Sequence, residues 1–236
     1  MSAWIWLFPG PAIVVAQVAL KAYDQGLYRR WMRSEKGLVE NLTVAFLLCA
    51  LACAILCYRY RARVRWRFFG PLMLVMALGL VYFAGEELSW GQHLLGFKPP
   101  ESIAARNEQH EFNLHNDPFL EQALDNLPRT LLTLVALAAV IGVFVRRKRG
   151  LEGRDFADPR PWGWIWPTVE CLPAAILVVG ISLPEKILAR LGHDIPSPFD
   201  IAPGETKEYC IGLFFLVYLL SLLLALRGRA AEPLAP

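Results

Sequence analysis

The chain has 236 residues and a formal net charge of +3, with 56% hydrophobic but only 19% charged residues. Soluble domains are usually about 45–50% apolar, Gly included, and about 25% charged; mean hydropathy here is +0.38. These values exclude a disordered chain, a collagen, a coiled coil and a disulfide-stapled secreted domain, and so small a net charge gives no basis for a nucleic-acid partner.

A helix that crosses about 30 Å of hydrocarbon needs about 20 apolar residues. Windows of that kind lie at 3–22, 38–58, 68–88, 127–145, 164–184 and 209–226. They predict an all-α, polytopic membrane helix bundle with about six transmembrane helices, forming a single integral membrane domain over 1–236. The first window is interrupted by Pro9-Gly10-Pro11. No basic residue precedes its apolar run and no A-x-A site follows, so it reads as a retained helix rather than a cleaved leader.

Arg59, Arg61, Arg63, Arg65 and Arg67 follow the second window. Arg146, Arg147, Lys148, Arg149, Arg154 and Arg160 follow the fourth, and Arg227 and Arg229 follow the last. Basic residues concentrate in short cytoplasmic connections, so this side is expected to be cytoplasmic and to hold both termini. Arg29, Arg30, Arg33 and Lys36 then fall outside. A first segment that is interfacial or re-entrant would remove this conflict and move the N-terminus outside. Trp162, Trp164 and Trp166 alternate at the head of the fifth window, where aromatic rings favour the headgroup level; all of them are expected to be anchors.

Cys49, Cys53 and Cys57 fall at i, i+4 and i+8 on the second window. Thiolate ligands for a metal and a small-residue packing stripe with Ala45, Ala50 and Ala52 both fit this spacing. No His or second Cys cluster is at hand to complete a ligand set, so packing is expected.

The acidic residues gather at the other side. Glu35 and Glu40 open the second window, Glu86 and Glu87 close the third, Glu185 closes the fifth, and Glu205 and Glu208 open the last. Between the third and fourth windows, the external segment 89–126 carries three of the four His, many Asn, Gln and Glu, and interspersed apolar residues. Short interfacial helices are expected in it. On a continuous helix Glu86 and His93 (i, i+7) share a face, as do Glu111 and His115 (i, i+4). Glu86, His93, Glu111 and His115 could hold a divalent metal, Zn²⁺, Mn²⁺ or Fe²⁺. Alternatively, Glu86 or Glu87 with His115 forms a metal-free acid/base pair. Glu40, Trp90, Gln92, Asn107, Gln109, Asn113, Asn116 and Glu208 would surround either site as binding residues. The third reading is a hydrogen-bonded cluster that fastens the outer segment to the helix ends.

Two motifs, Glu86-Glu87-x-Ser89-Trp90-Gly91-Gln92 and Asn107-x-Gln109-x-Glu111-x-Asn113-Leu114-His115-Asn116, together with 37–43 (Gly-Leu-Val-Glu-Asn-Leu-Thr), resemble a family of uncharacterised bacterial multi-pass membrane proteins. The resemblance implies a bacterial inner-membrane location and no particular activity. The paired Glu with a later His is also similar to CAAX-type glutamate intramembrane proteases. Their Arg, however, is replaced here by Gly91, and 112–115 is one residue short of their F-x-x-x-H.

The function expected from this pattern is a membrane-embedded hydrolase or transferase, acting at the outer leaflet on a lipid or lipid-linked substrate. A non-catalytic subunit that docks other membrane-protein subunits through 89–126 is the alternative. A transporter is the third: Pro167, Pro173, Pro184 and Glu170 suit a broken helix, but no internal repeat is visible.

Overall fold

The structure is a computed structural model that describes residues 1–34, 37–107, 112–113, 123, 126–151 and 153–228, leaving aside the side chains of His93 and Leu94. The described residues form α1 (Ala3–Trp6), α2 (Pro9–Tyr23), α3 (Gln25–Trp31), α4 (Leu38–Arg59), α5 (Phe69–Glu87), α6 (Gln92–Leu95), α7 (Glu101–Ala104), α8 (Leu127–Lys148), α9 (Leu172–Gly180), α10 (Leu183–Arg190) and α11 (Pro203–Gly228). Among them there is no strand. The protein is a multi-pass helical membrane bundle. Five stretches are long and apolar enough to cross a bilayer: α4, α5, α8, Val169–Arg190, which includes α9 and α10, and α11. α6 and α7 are short helices within the 89–126 segment.

α11 is the hub. Two thirds of its apolar window is buried, 67%, against 22–39% for the other four. It packs on α4 and α9, and on α1 and α2 from the first segment. Gly212 allows a close approach to α4, since a Cβ there would lie 3.3 Å from the Thr43 carbonyl oxygen. Without a hydrophobic force between helices in lipid, such close small-residue contacts are what hold them together. Cys53 and Cys57 are buried on this face, with the Cys57 thiol 3.8 Å from the Leu219 carbonyl oxygen, while Cys49 is exposed.

The first segment is broken as its prolines require: α2 has only 15 residues, about 22 Å. The segment nevertheless runs most of the length of α11. Met1 lines a small cavity with Ser221 and Leu224. At the far end Gln17 Nε2 donates to Thr206 Oγ1 at 3.0 Å, and Lys21 Nζ meets Asp200 Oδ2 at 2.8 Å. From Thr206 to Leu224 is about 27 Å of helix.

The Arg-rich connectors converge, whereas Arg33 of the first connector lies near Glu205 at the other end. At one end Arg63 donates to the Leu226 carbonyl, the Arg65 amide to that of Phe156, and Arg154 to Ser221. Trp164 departs from the expected belt. It is fully buried at this end, against Phe69, Trp66 and Phe156 at centroid distances of 5.0, 5.8 and 6.5 Å. The chain turns inward between Trp162, which is exposed, and Trp166, so the alternation serves a packed aromatic core as well as a surface.

Candidate functional site

α5 ends in a sharp turn. Glu87 is its last residue, and Ser89, Trp90 and Gly91 follow with φ of 45°, 51° and 85°. Non-glycine residues in the left-handed region cost about 1–2 kcal/mol each, so contacts must hold the turn. Trp90 folds back over α5, where Gly85 leaves room for it: a Cβ at that position would meet the indole ring at 2.9 Å. Trp90 Nε1 then donates to Glu86 Oε1 at 2.7 Å. Asn113 Nδ2 donates to Ser89 Oγ at 3.2 Å, and Asn107 Nδ2 to Asn113 Oδ1 at 2.7 Å. The Phe112 amide donates to Gln92 Oε1 at 2.6 Å. Trp90, Gln92, Asn107 and Asn113 are therefore brought together, in bonds that tie residues 107–113 to the end of α5.

The turn corrects one expectation. Helix α5 stops at Glu87 and α6 begins at Gln92. Glu86 and His93 therefore sit on different helices, and the i, i+7 face assigned to them does not exist. The His93 side chain lies outside the described residues, as do Gln109, Glu111, His115 and Asn116. Among the described residues, no group of three His, Cys, Asp or Glu could hold a metal ion.

Beside the turn is a cavity of about 610 Å³ lined by α5, α8 and α11. It arises because α8 packs on α9 and barely touches α5. Its walls are apolar, with Val75, Leu80, Leu132 and Phe215 among them, and it is bordered by Glu86, Glu87, Glu208 and Arg129. Arg129 Nη2 donates to Glu208 Oε1. Glu87 lies within electrostatic reach of Glu208, Glu40, Arg129 and Glu205. The bundle thus gathers Glu40, Glu86, Glu87 and Glu208, which are distant in sequence, at one end.

Helix dipoles explain part of this grouping. Glu40 and Glu205 occupy the first turns of α4 and α11, where the positive end of the macrodipole favours a carboxylate. Glu86 and Glu87 stand at the C-terminus of α5, where it opposes them. Glu86 is compensated by the Trp90 N–H and Glu208 by Arg129. Among the described residues Glu87 makes neither a hydrogen bond nor an ion pair.

Arg129 is a site residue that no motif flags. The signal in the sequence is a lone Arg just inside an apolar window, a position that is costly unless a carboxylate faces it. Gly79 is a second: it lines the cavity and has no atom within 4 Å of a Cβ position.

No family model, no curated protein and no solved structure matches the chain.

Proposed function

We propose that this protein is a membrane-embedded hydrolase or transferase of the bacterial inner membrane, taking a lipid or lipid-linked substrate from the outer leaflet into the α5–α8–α11 cleft. The observation that carries the reading is the apolar cavity bordered by a carboxylate, Glu87, that makes no hydrogen bond or ion pair among the described residues. Cavities of about 300–1,000 Å³ with few polar groups suit small ligands. Chains would lie along the apolar walls and the reacting head beside Glu87. There Glu87 acts as general base, taking the proton of a water or an acceptor hydroxyl as its oxygen attacks, and returning it to the leaving group. Arg129 faces the charge that develops, and His115 is the proposed second acid/base group. In this reading the Arg-rich connectors face the cytoplasm, as basic short loops generally do, with both termini there and the site facing the periplasm.

The test is a comparison of the lipids and lipid-linked molecules of cells carrying wild type, Glu87→Gln or no protein. A species that accumulates equally without the protein and with Glu87→Gln, and is consumed by wild type, is expected. Full function of Glu87→Gln would overturn the enzyme reading. The metal-dependent form of this reading, with Glu111 and His115 as ligands of Zn²⁺, Mn²⁺ or Fe²⁺, requires a stoichiometric metal that His115→Ala loses. The metal-free form requires activity that survives a chelator.

One observation favours the second reading, a non-catalytic subunit of a membrane complex: the bonds of Ser89, Gln92, Asn107 and Asn113 are spent on holding the outer segment. That reading requires a stoichiometric partner that co-purifies with wild type and is lost when this network is broken by Asn113→Ala.

A further inference from the structure

The lipid-binding role proposed for the cleft leaves the head of its ligand undefined, and the charges at the polar end define it. Three carboxylates border the cavity, Glu86, Glu87 and Glu208, against one guanidinium, Arg129. Glu86 accepts the Trp90 indole N–H and Glu208 accepts from Arg129. Glu87 is left as the acceptor without a donor among the described residues, and Glu40 and Glu205 add to the negative potential around it. The C-terminal end of the α5 dipole acts in the same direction.

A phosphate or carboxylate head would meet like charge in apolar surroundings, where the repulsion is poorly screened. A head without a donor would leave the Glu87 oxygens unsatisfied, which is costly away from water. A protonated amine answers both demands, as a cation and as the donor of charge-assisted hydrogen bonds. Resting on the reading above, we infer that the cleft selects amphiphiles that join an apolar chain to a primary amine, with the ammonium on Glu87 and the chain between α5, α8 and α11.

The experiment uses the full-length protein in neutral maltoside micelles. Dodecylamine, dodecanol and dodecanoate, which share a chain and differ in head, are titrated and followed by thermal shift and native mass spectrometry. Dodecylamine is expected to bind roughly tenfold to hundredfold more tightly than the others, the factor a charge-assisted hydrogen bond supplies. Glu87→Gln should remove that preference and keep chain binding. Glu87→Asp, which retains the charge, should keep it in part. Gly79→Phe places a ring in space that is open around its Cβ and should abolish binding of all three. Equal binding of the three probes by wild type, or an amine preference that persists in Glu87→Gln, would overturn the inference while leaving the cleft as a lipid site. Binding that Gly79→Phe does not weaken would overturn the lipid-binding cleft itself.

Discussion

Gly85, Glu86 and Trp90 form a small mechanical unit whose parts are legible one residue at a time. The indole ring lies on the bare face of Gly85, and its N–H ends on the Glu86 carboxylate. Ala is normally a better helix residue than Gly by about 1 kcal/mol. Gly85→Ala should instead destabilise the protein by about 1–3 kcal/mol, because the added methyl overlaps the ring. The melting temperature in detergent reads the sign directly, and a rise would contradict the packing described. Arg129 makes the second residue-scale case. Arg129→Ala leaves Glu208 facing the cavity without its cation and should cost about 3 kcal/mol. Adding Glu208→Gln to it should recover most of that loss in the same melting measurement, since the uncompensated charge goes with it. If the double variant melts as low as Arg129→Ala alone, the pair is not coupled as drawn.

The first segment is the element whose role the sequence leaves most open. The chain breaks before Pro9, yet side chains on α2 pin the segment to the start of α11 and the residues before it: Gln17 to Thr206, and Lys21 to Asp200. Tyr28 continues the seam by accepting the Ala202 amide on its hydroxyl. The Lys21 ammonium beside Asp200 holds that carboxyl below the usual carboxylate range. A depressed native pKa contributes stability that is fully present above the unfolded value, about 3.9, and is lost as pH falls through the native one. The thermal stability of wild type should therefore fall more steeply below about pH 4 than that of Asp200→Asn. Protease accessibility of the first segment should rise over the same range. Identical pH profiles for the two proteins would show that the pair does not hold this segment.

At the scale of the whole molecule, the alternation of apolar windows with Arg-rich and Glu-rich connectors resolves into two chemically distinct ends. If the Arg-rich end is cytoplasmic, a thiol at Ser102→Cys is labelled from outside whole cells by an impermeant maleimide, and one at Gly153→Cys is labelled only after lysis. The reverse pattern would place the cleft's polar end in the cytoplasm. Much of this plan is written in the chain itself. Hydropathy alone locates all five long spans, because crossing the hydrocarbon takes about 20 apolar residues whose backbone groups pair internally. The clustering of Glu40, Glu86, Glu87 and Glu208 follows once the spans alternate. What sequence periodicity could not supply was the left-handed turn after Glu87, which takes His93 off the face of Glu86, or the inward bend that buries Trp164. Both depend on which surface the next helix offers, and no local repeat encodes that. The cavity is of the same kind. It exists because α8 rests on α9 and stands away from α5, so its volume, the meeting of Arg129 with Glu208 and the placing of Glu87 at its border were decided only when the helices packed.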